Sequence, residues 1–496
     1  MHSSLPTQRS GLERLRHVAR PVMAVATGLM VAALATGCGG NDLLAGSLDK
    51  QFGKASDGIV SLSLGIGNDS AKAMAVQADG KIIVAGTSTS TGGSTSNIVI
   101  ERFNNDGTPD ETFGTKGLVN LDLDTPLSTS SDDAKAVAIQ ADGKIVVAGN
   151  STPTGGSSNV VLARLDKNGK LDATFGADGN ADGTPDGVVQ VSFGNGDDAV
   201  DAIAIQQDGK IVVAGDTTSN TGGSQNMMVA RLNIDGTPDK TFGADSGADG
   251  TPDGVVSISL GDGNDEAKAV AIQADGRIVI AGNTVGADNT SNIVVARLNS
   301  DGTLDTTNFG VGNADNTPNG VVAVSLSNGD DKAKAVALQA DGKILVGGVT
   351  VAADKSSNVA VARLNSDGTL DASFGAGSSD GTPDGSVSVS FGAGDDKLKG
   401  LVVQADGKIL IAGSNTAADG STNAVVARLN SNGALDSSFG EDSSDGTPNG
   451  VVSISLGSGD DSAEALALQA DGKILIAGDH VASDGSSNIF VARLIN

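Results

Sequence analysis

The residues best suited to chemistry are oxygen donors set at alternate positions of a short acidic loop. In DGNADGTPD, residues 178–186, Asp178, Asn180, Asp182, Thr184 and Asp186 occupy positions 1, 3, 5, 7 and 9 of a calcium-loop pattern, with Gly183 at position 6. Hard oxygen ligands at alternate positions, with glycine allowing the sharp bend, are what Ca²⁺ requires. Position 12 is Val189, so the bidentate carboxylate that completes a twelve-residue loop is missing. A second copy keeps Asp245, Asp249 and Asp253 but has Gly247 at position 3, and later copies decay: Ala376 replaces the first ligand in one, and Glu441, Ser443, Asp445 and Asn449 remain in another. The expectation is Ca²⁺ in these loops; the alternative is an acidic, glycine-rich turn that binds nothing.

A second set of carboxylates recurs eleven residues before the glycine of each DGK or DGR turn: Asp69, Asp132, Asp198, Asp265, Asp331, Asp396 and Asp461. Three residues further on stand Lys72, Lys135, Lys268, Lys334 and Lys399, replaced by Asp201 and Glu464 in the third and seventh units. One reading makes these aspartates an acidic ring at a channel mouth that attracts cations. The other has each of them bond its own turn amides. Much other chemistry is excluded by composition. With no Trp and no Tyr, the Tyr nucleophile of sialidase-type glycosidases and the Trp stacking of propeller quinone dehydrogenases have no residue to use. Histidine occurs only at His2, His17 and His480, so a Ser-His-Asp triad would rest on His480 alone. Lys and Arg number 32 against 60 Asp and Glu, a net charge of −28 that repels nucleic acid and suits cations or basic partners.

What must position these residues is a repeat. The DGK or DGR glycines fall at 80, 143, 209, 276, 342, 407 and 472, and each unit reads GVVSISLG, AKAVAIQADG, KIVVAG, SNIVVARLNSDG, LDxxFG. Four short Val/Ile/Ala-rich runs separated by Gly, Asn and Asp are strands, and the Asp-Gly pair between the second and third runs makes a tight hairpin. Four strands in about 65 residues, seven times over, predicts an all-β, seven-bladed β-propeller. The last unit stops at VARLIN, and the DGxxDxxFG piece it lacks opens the array as AGSLDKQFG at 45–53, followed by GIVSLSLG. The ring is therefore expected to be closed by the N-terminal strand completing the last blade, with Ile59–Leu64 beside Asn488–Leu494 and Asp49 reaching Arg493. In blade order AKAVAIQ is innermost, KIVVAG second, NIVVARLN third and GVVSISLG outermost. Arg102, Arg164, Arg231, Arg297, Arg363 and Arg428 each precede an Asp by eight positions, which predicts a fork tying the third strand to the loop after it. Phe52, Phe113, Phe175, Phe242, Phe309, Phe374 and Phe439 close the same motif and read as wedges between blades.

These motifs, ALQxDGKIxVAG, ARLNxDGxLD and SFG, resemble the delta-60 repeat family of bacterial tandem-repeat propellers over residues 45–496, which implies the fold and little about function. The 178–186 loop is similar to the aspartate-rich calcium repeats of thrombospondin-type extracellular proteins. At the N-terminus, Arg9, Arg14, Arg16 and Arg20 precede the apolar stretch 22–35, too short to span a membrane as a helix. The ALATGC sequence that follows resembles the lipobox of bacterial lipoproteins. That resemblance implies a signal peptide over 1–37, lipidation of Cys38, a tether over 38–44 and a lipid-anchored place in the cell envelope. Gly39, where retained lipoproteins commonly carry Asp, favours the outer membrane.

The leading functional expectation is a surface-anchored, non-catalytic propeller, monomeric, acting as a binding or structural scaffold. A short tether would hold the face bearing the hairpin turns near the membrane, leaving a basic protein or polycation to meet the opposite, top face. The alternatives are a calcium-dependent hydrolase or lyase using carboxylates at the channel mouth, and a calcium-dependent adhesin.

Overall fold

The computed structural model describes residues 44–496 apart from the loop segments 64–66, 90–94, 124–129, 177–186, 194–195, 219–223, 244–252, 262, 287–288, 311–318, 328, 353–354, 376–383, 393, 418 and 441–448. Seven separate four-stranded antiparallel sheets account for every strand named among those residues. In the first blade the chain runs outward through Asp69–Val76, Ile82–Thr89, Ser96–Phe103 and Leu118–Leu121, each pairing with the next. Five further blades repeat this order, with inner strands Ser130–Ile139, Asp198–Ile205, Asp265–Ile272, Asp331–Leu338 and Asp396–Val403.

The seventh blade is assembled from both ends of the array. Its inner three strands are Asp461–Leu468, Ile474–Val481 and Ser487–Leu494, and its outer strand is Ile59–Leu62. The register sets Ile59 opposite Ala492 and Leu62 opposite Ile489. Gly46 donates its amide to the carbonyl of Ile495, and Ile495 donates to that of Ser47. A permuted β-array thus becomes a seven-bladed ring closed by its first strand.

Hydrophobic burial is divided among seven seams. Each apolar cluster joins the facing sides of two neighbouring blades; Ile83, Ile98 and Phe113 of the first, for example, pack on Ile145, Val147 and Val161 of the second. The second and third strands are buried on both faces, so they read as near-continuous Val, Ile and Ala, while the outer strand keeps an exposed position near its middle.

A β-bulge interrupts every inner strand at the same place. In the first blade Ala71 pairs with Gly86 and Ala73 with Ala85, leaving Lys72 as the extra residue. The glycine of each KIVVAG run makes this possible: a Cβ on Gly86 would collide with the carbonyl oxygen of Ser70, and the same holds at Gly149, Gly215, Gly282, Gly348, Gly413 and Gly478 with their counterparts.

Candidate functional site

The bulge residues around the inner edge are Lys72, Lys135, Asp201, Lys268, Lys334, Lys399 and Glu464. They interact across blades. Lys268 Nζ lies 2.9 Å from Asp201 of the preceding blade, and Lys399 Nζ lies 2.6 Å from Glu464 of the following one. Lys334 is exposed on its strand, yet loss of hydration lowers its pKa, and the like charges of Lys268 and Lys399 lower it further. For Lys268, burial opposes the charge but Asp201, Glu266 and Asp216 outweigh it, and its pKa is raised. Asp216, buried beside this group, is pushed up to about 6 by desolvation, partly offset by Lys268.

The expected acidic ring is corrected by this arrangement. Asp69, Asp132, Asp198, Asp265, Asp331, Asp396 and Asp461 are all buried. Six of them begin an inner strand, Asp132 stands two residues inside its own, and each latches the incoming loop of its blade. Asp331 Oδ2 accepts the Leu326 amide at 2.7 Å, Asp265 that of Leu260 at 2.7 Å, and Asp132 that of Leu123 at 3.1 Å. The other oxygen commonly takes a donor from the second strand: Ser88 to Asp69 at 2.6 Å, Thr217 to Asp198 at 2.6 Å, Asn415 to Asp396 at 2.8 Å. His480 fills that donor position in the seventh blade, its Nδ1 2.6 Å from Asp461 Oδ1, so the only histidine of the ring is part of a latch. The sidedness of the channel therefore comes from the bulge, and five of its seven bulge residues are lysines.

The predicted Arg–Asp fork is present in every blade and is larger than the sequence suggested. Arg102 Nε donates to Asp110 Oδ2 at 2.8 Å, Lys81 of the DGK turn reaches the same oxygen at 2.9 Å, and Thr112 Oγ1 donates to Oδ1 at 2.7 Å. The guanidinium lies 4.4 Å from the Phe113 ring centre and donates onward to the Lys167 carbonyl of the next blade. Gly114 donates to the Asn168 carbonyl at 2.7 Å, and Phe113 packs so tightly on Gly169 of that blade that a Cβ there would strike the ring. At the closing seam the same lock joins Arg493 and Lys473 to Asp49 at 2.9 and 3.2 Å, with Phe52 beneath the guanidinium and the Asn105 carbonyl of the first blade receiving its outer nitrogen. Burial alone would raise the pKa of Asp110, but donation from Thr112 and Lys81 and the Arg102 charge hold it far below the usual carboxylate range. The same holds for Asp172, Asp239, Asp371 and Asp436.

Of the predicted calcium ligands, Asp178, Asn180, Asp182, Thr184, Asp186, Asp245 and Asp249 lie outside the described residues, as does Cys38. Asp253 is described and stands just before the outer strand of its blade. Its counterparts show what position 9 does in the fold. Asn319, Asp384 and Asn449 each accept the amide two residues on, at 2.9 to 3.0 Å, turning the chain into the outer strand. Among the described residues no cluster of three or more His, Cys, Asp or Glu is arranged to hold a metal.

One residue breaks the repeat where sequence reading passed over it. The third strand carries Ala before its Arg in six blades, Ala163, Ala230, Ala296, Ala362, Ala427 and Ala492, but Glu101 in the first. Glu101 is 6% exposed, its Oε2 has no hydrogen-bond partner among the described residues, and desolvation followed by the charge of Asp69 pushes its pKa up to about 8.

Comparison with known proteins agrees on architecture. The model for the domain of unknown function (DUF5122) beta-propeller matches residues 77–113, 140–175, 206–242, 273–307, 339–374, 404–439 and 469–494. No curated protein matches the chain in sequence. Among solved structures, a catalytically inactive virginiamycin B lyase from Staphylococcus aureus is 12% identical, with 88% of this chain and 98% of that one covered and a TM-score of 0.43. A polysaccharide lyase of family PL25, an ulvan lyase, is 9% identical over 88% and 96% with a TM-score of 0.45. Drosophila Plexin A is 10% identical over 90% and 88% with a TM-score of 0.40. Likenesses this distant carry no argument about activity. Geometry and family match together establish a tandem-repeat β-propeller with a DUF5122 beta-propeller repeat in each of its seven blades.

Proposed function

We propose that this protein is a non-catalytic scaffold, anchored in the cell envelope through lipidated Cys38, that presents a propeller face to a partner. The observation that supports it is how the recurrent polar residues are used: in every blade an Arg and an Asp, joined by the Lys or Arg of the hairpin turn, form an inter-blade lock, and the seven inner-strand aspartates are buried latches. Side chains committed to the frame in every blade are not a reacting constellation. The top face keeps exposed carboxylates on its rim, including Asp395, Asp419 and Asp484, which suit a basic protein or polycation. Ca²⁺ bound at the 178–186 loop would stiffen the segment between one blade's lock and its outer strand.

The test has two arms. Cys38→Ser in the full precursor should move the protein from the membrane to the soluble fraction. Poly-lysine should bind wild type in a salt-sensitive manner and bind the Asp395→Asn, Asp419→Asn, Asp484→Asn variant more weakly. Unaltered poly-lysine binding by that variant would refute the rim as the contact surface.

A further inference from the structure

The described residues include one place where positive charge is concentrated and left unneutralised. Blades five and six carry DKAKAVAL and DKLKGLVV as inner strands, and the exposure pattern leaves Lys332, Lys334, Lys397 and Lys399 open while the aspartates and apolar residues between them are buried. Lys399 is paired with Glu464, and Lys268 on the preceding inner strand with Asp201. Lys332, Lys334 and Lys397 have no ion-pair partner among the described residues. Of the acids nearest to them in sequence, Asp331 and Asp396 are fully buried latches, while Asp330 and Asp395 accept a strand amide, from Ser291 at 2.9 Å and Ser357 at 3.0 Å, and form no ion pair with these lysines among the described residues.

We infer that the top mouth of the channel over blades five and six binds a multivalent oxyanion of the phosphate type, with Lys332, Lys334 and Lys397 as its ligands. Ammonium groups are compact point charges with three donors and no acceptor, so several of them exposed on two neighbouring inner strands suit an anion whose charge is spread over many oxygens. Lys334 has lost part of its hydration where it stands, which strengthens the attraction relative to a fully solvated charge. Loss of hydration, then like-charge repulsion from Lys268 and Lys399, disfavours the protonated form of Lys334 against the opposing pull of Asp201 and Glu266, and an anion between the lysines relieves the repulsion. Because the chain as a whole carries −28, anion binding elsewhere on its surface is opposed. This inference is independent of the scaffold reading: the rim is acidic and the mouth within it is basic.

The experiment is calorimetric titration of the full chain with inorganic tripolyphosphate in metal-free buffer of low ionic strength. The expected result is saturable binding that weakens with added salt. The Lys332→Gln, Lys334→Gln, Lys397→Gln variant should bind at least tenfold more weakly, while Lys355→Gln, an exposed lysine on an outer loop of blade five, should bind as wild type. A second measurement on wild type alone guards against a misfolded variant: tripolyphosphate should slow acylation of Lys334, followed by peptide mass, and leave Lys355 unaffected. Absence of saturable heat, or full affinity in the triple variant, or Lys334 acylation indifferent to tripolyphosphate, would overturn the inference.

Discussion

Glu101 offers the sharpest test of how the ring closes. Alternation along Ser96–Phe103 puts its side chain on the same face as Val99 and Phe103, and those two belong to the apolar cluster with Leu475, Ile489 and Val491 of the seventh blade. The carboxyl therefore sits in the seam that joins the last blade to the first. In the unfolded chain it ionises near 4.5, and in the fold near 8. A folded value raised above the unfolded one means that the unfolded state loses its proton first, so stability falls as pH rises through this window and levels off above it. At 1.36 kcal/mol per tenfold change, the loss between pH 5 and pH 8 is about 3.5 kcal/mol, an upper figure because water entering the seam would relieve part of it. For a ring of about 450 residues, with about 2.1 cal/mol/K of unfolding entropy per residue, that corresponds to about 4 °C in Tm. Glu101→Gln removes the ionisation, and Glu101→Ala restores the residue of the other six blades. Differential scanning calorimetry from pH 5 to pH 9 should show wild type losing Tm relative to both variants as pH rises. If the difference between wild type and Glu101→Gln stayed constant across that range, the carboxyl would not be held neutral in the seam and the reasoning would fail.

Three further outcomes are expected. Asp49→Ala leaves Arg493 buried without its carboxylate, which costs about 3 to 5 kcal/mol, and hydrogen exchange should accelerate in residues 474–494 before the other blades; uniform acceleration around the ring would contradict the closing role. Since Asp110, Asp172, Asp239, Asp371 and Asp436 ionise far below their unfolded values, their contribution is complete above about pH 4 and is lost as pH falls, so Tm should drop steeply between pH 4 and pH 2, and a flat profile there would refute the locks. Millimolar Ca²⁺ should raise the Tm of metal-free protein, by an amount equivalent to about 2.7 kcal/mol at a hundredfold excess over Kd, and Asp178→Ala with Asp182→Ala should remove most of the gain; identical melting curves in Ca²⁺ and chelator would leave only the acidic turn.

The architecture was legible because repetition averages out local ambiguity. A single KIVVAG run could be a strand or a piece of buried helix, but seven of them, each after an Asp-Gly pair and before an Arg-Asp motif, fix strand number, order and closure together. Even the pairing of Asp49 with Arg493 followed from the frame. For the inner-strand aspartates the sequence left a cation ring and bonds to their own turn amides both open, and the structure shows the second; which residue of the strand faces the channel did not follow, for a definite reason. Period-two alternation carried from Asp69 through Val76 assumes an unbroken strand, and the bulge at Lys72 shifts every later side chain relative to the second strand. A signal was present in the glycine that ends KIVVAG in all seven units, because a glycine kept in the middle of a buried strand marks close backbone approach. Read that way, it would have identified the residue three after each aspartate as the one displaced towards the channel.

The same logic says where function is to be sought in a repeat protein. Positions that are alike in all blades, such as Arg102, Asp110 and Phe113 with their copies, carry the energy of seams that are themselves alike. A ring of equal blades has no preferred direction. Direction comes from departures: acids instead of lysine at Asp201 and Glu464, paired lysines on blades five and six, and a carboxyl instead of a methyl at Glu101. The first two leave Lys332, Lys334 and Lys397 unpaired in one sector of the channel mouth, beside Lys268 and Lys399 that are paired to the two acids. The third gives the closing seam a strength that depends on pH in the neutral range. None of these departures is needed to build the propeller, since six blades do without Glu101, five keep lysine at the bulge and five do without a second lysine beside it. Residues that the frame does not need, at positions where they disturb it, are those whose substitution separates folding from function.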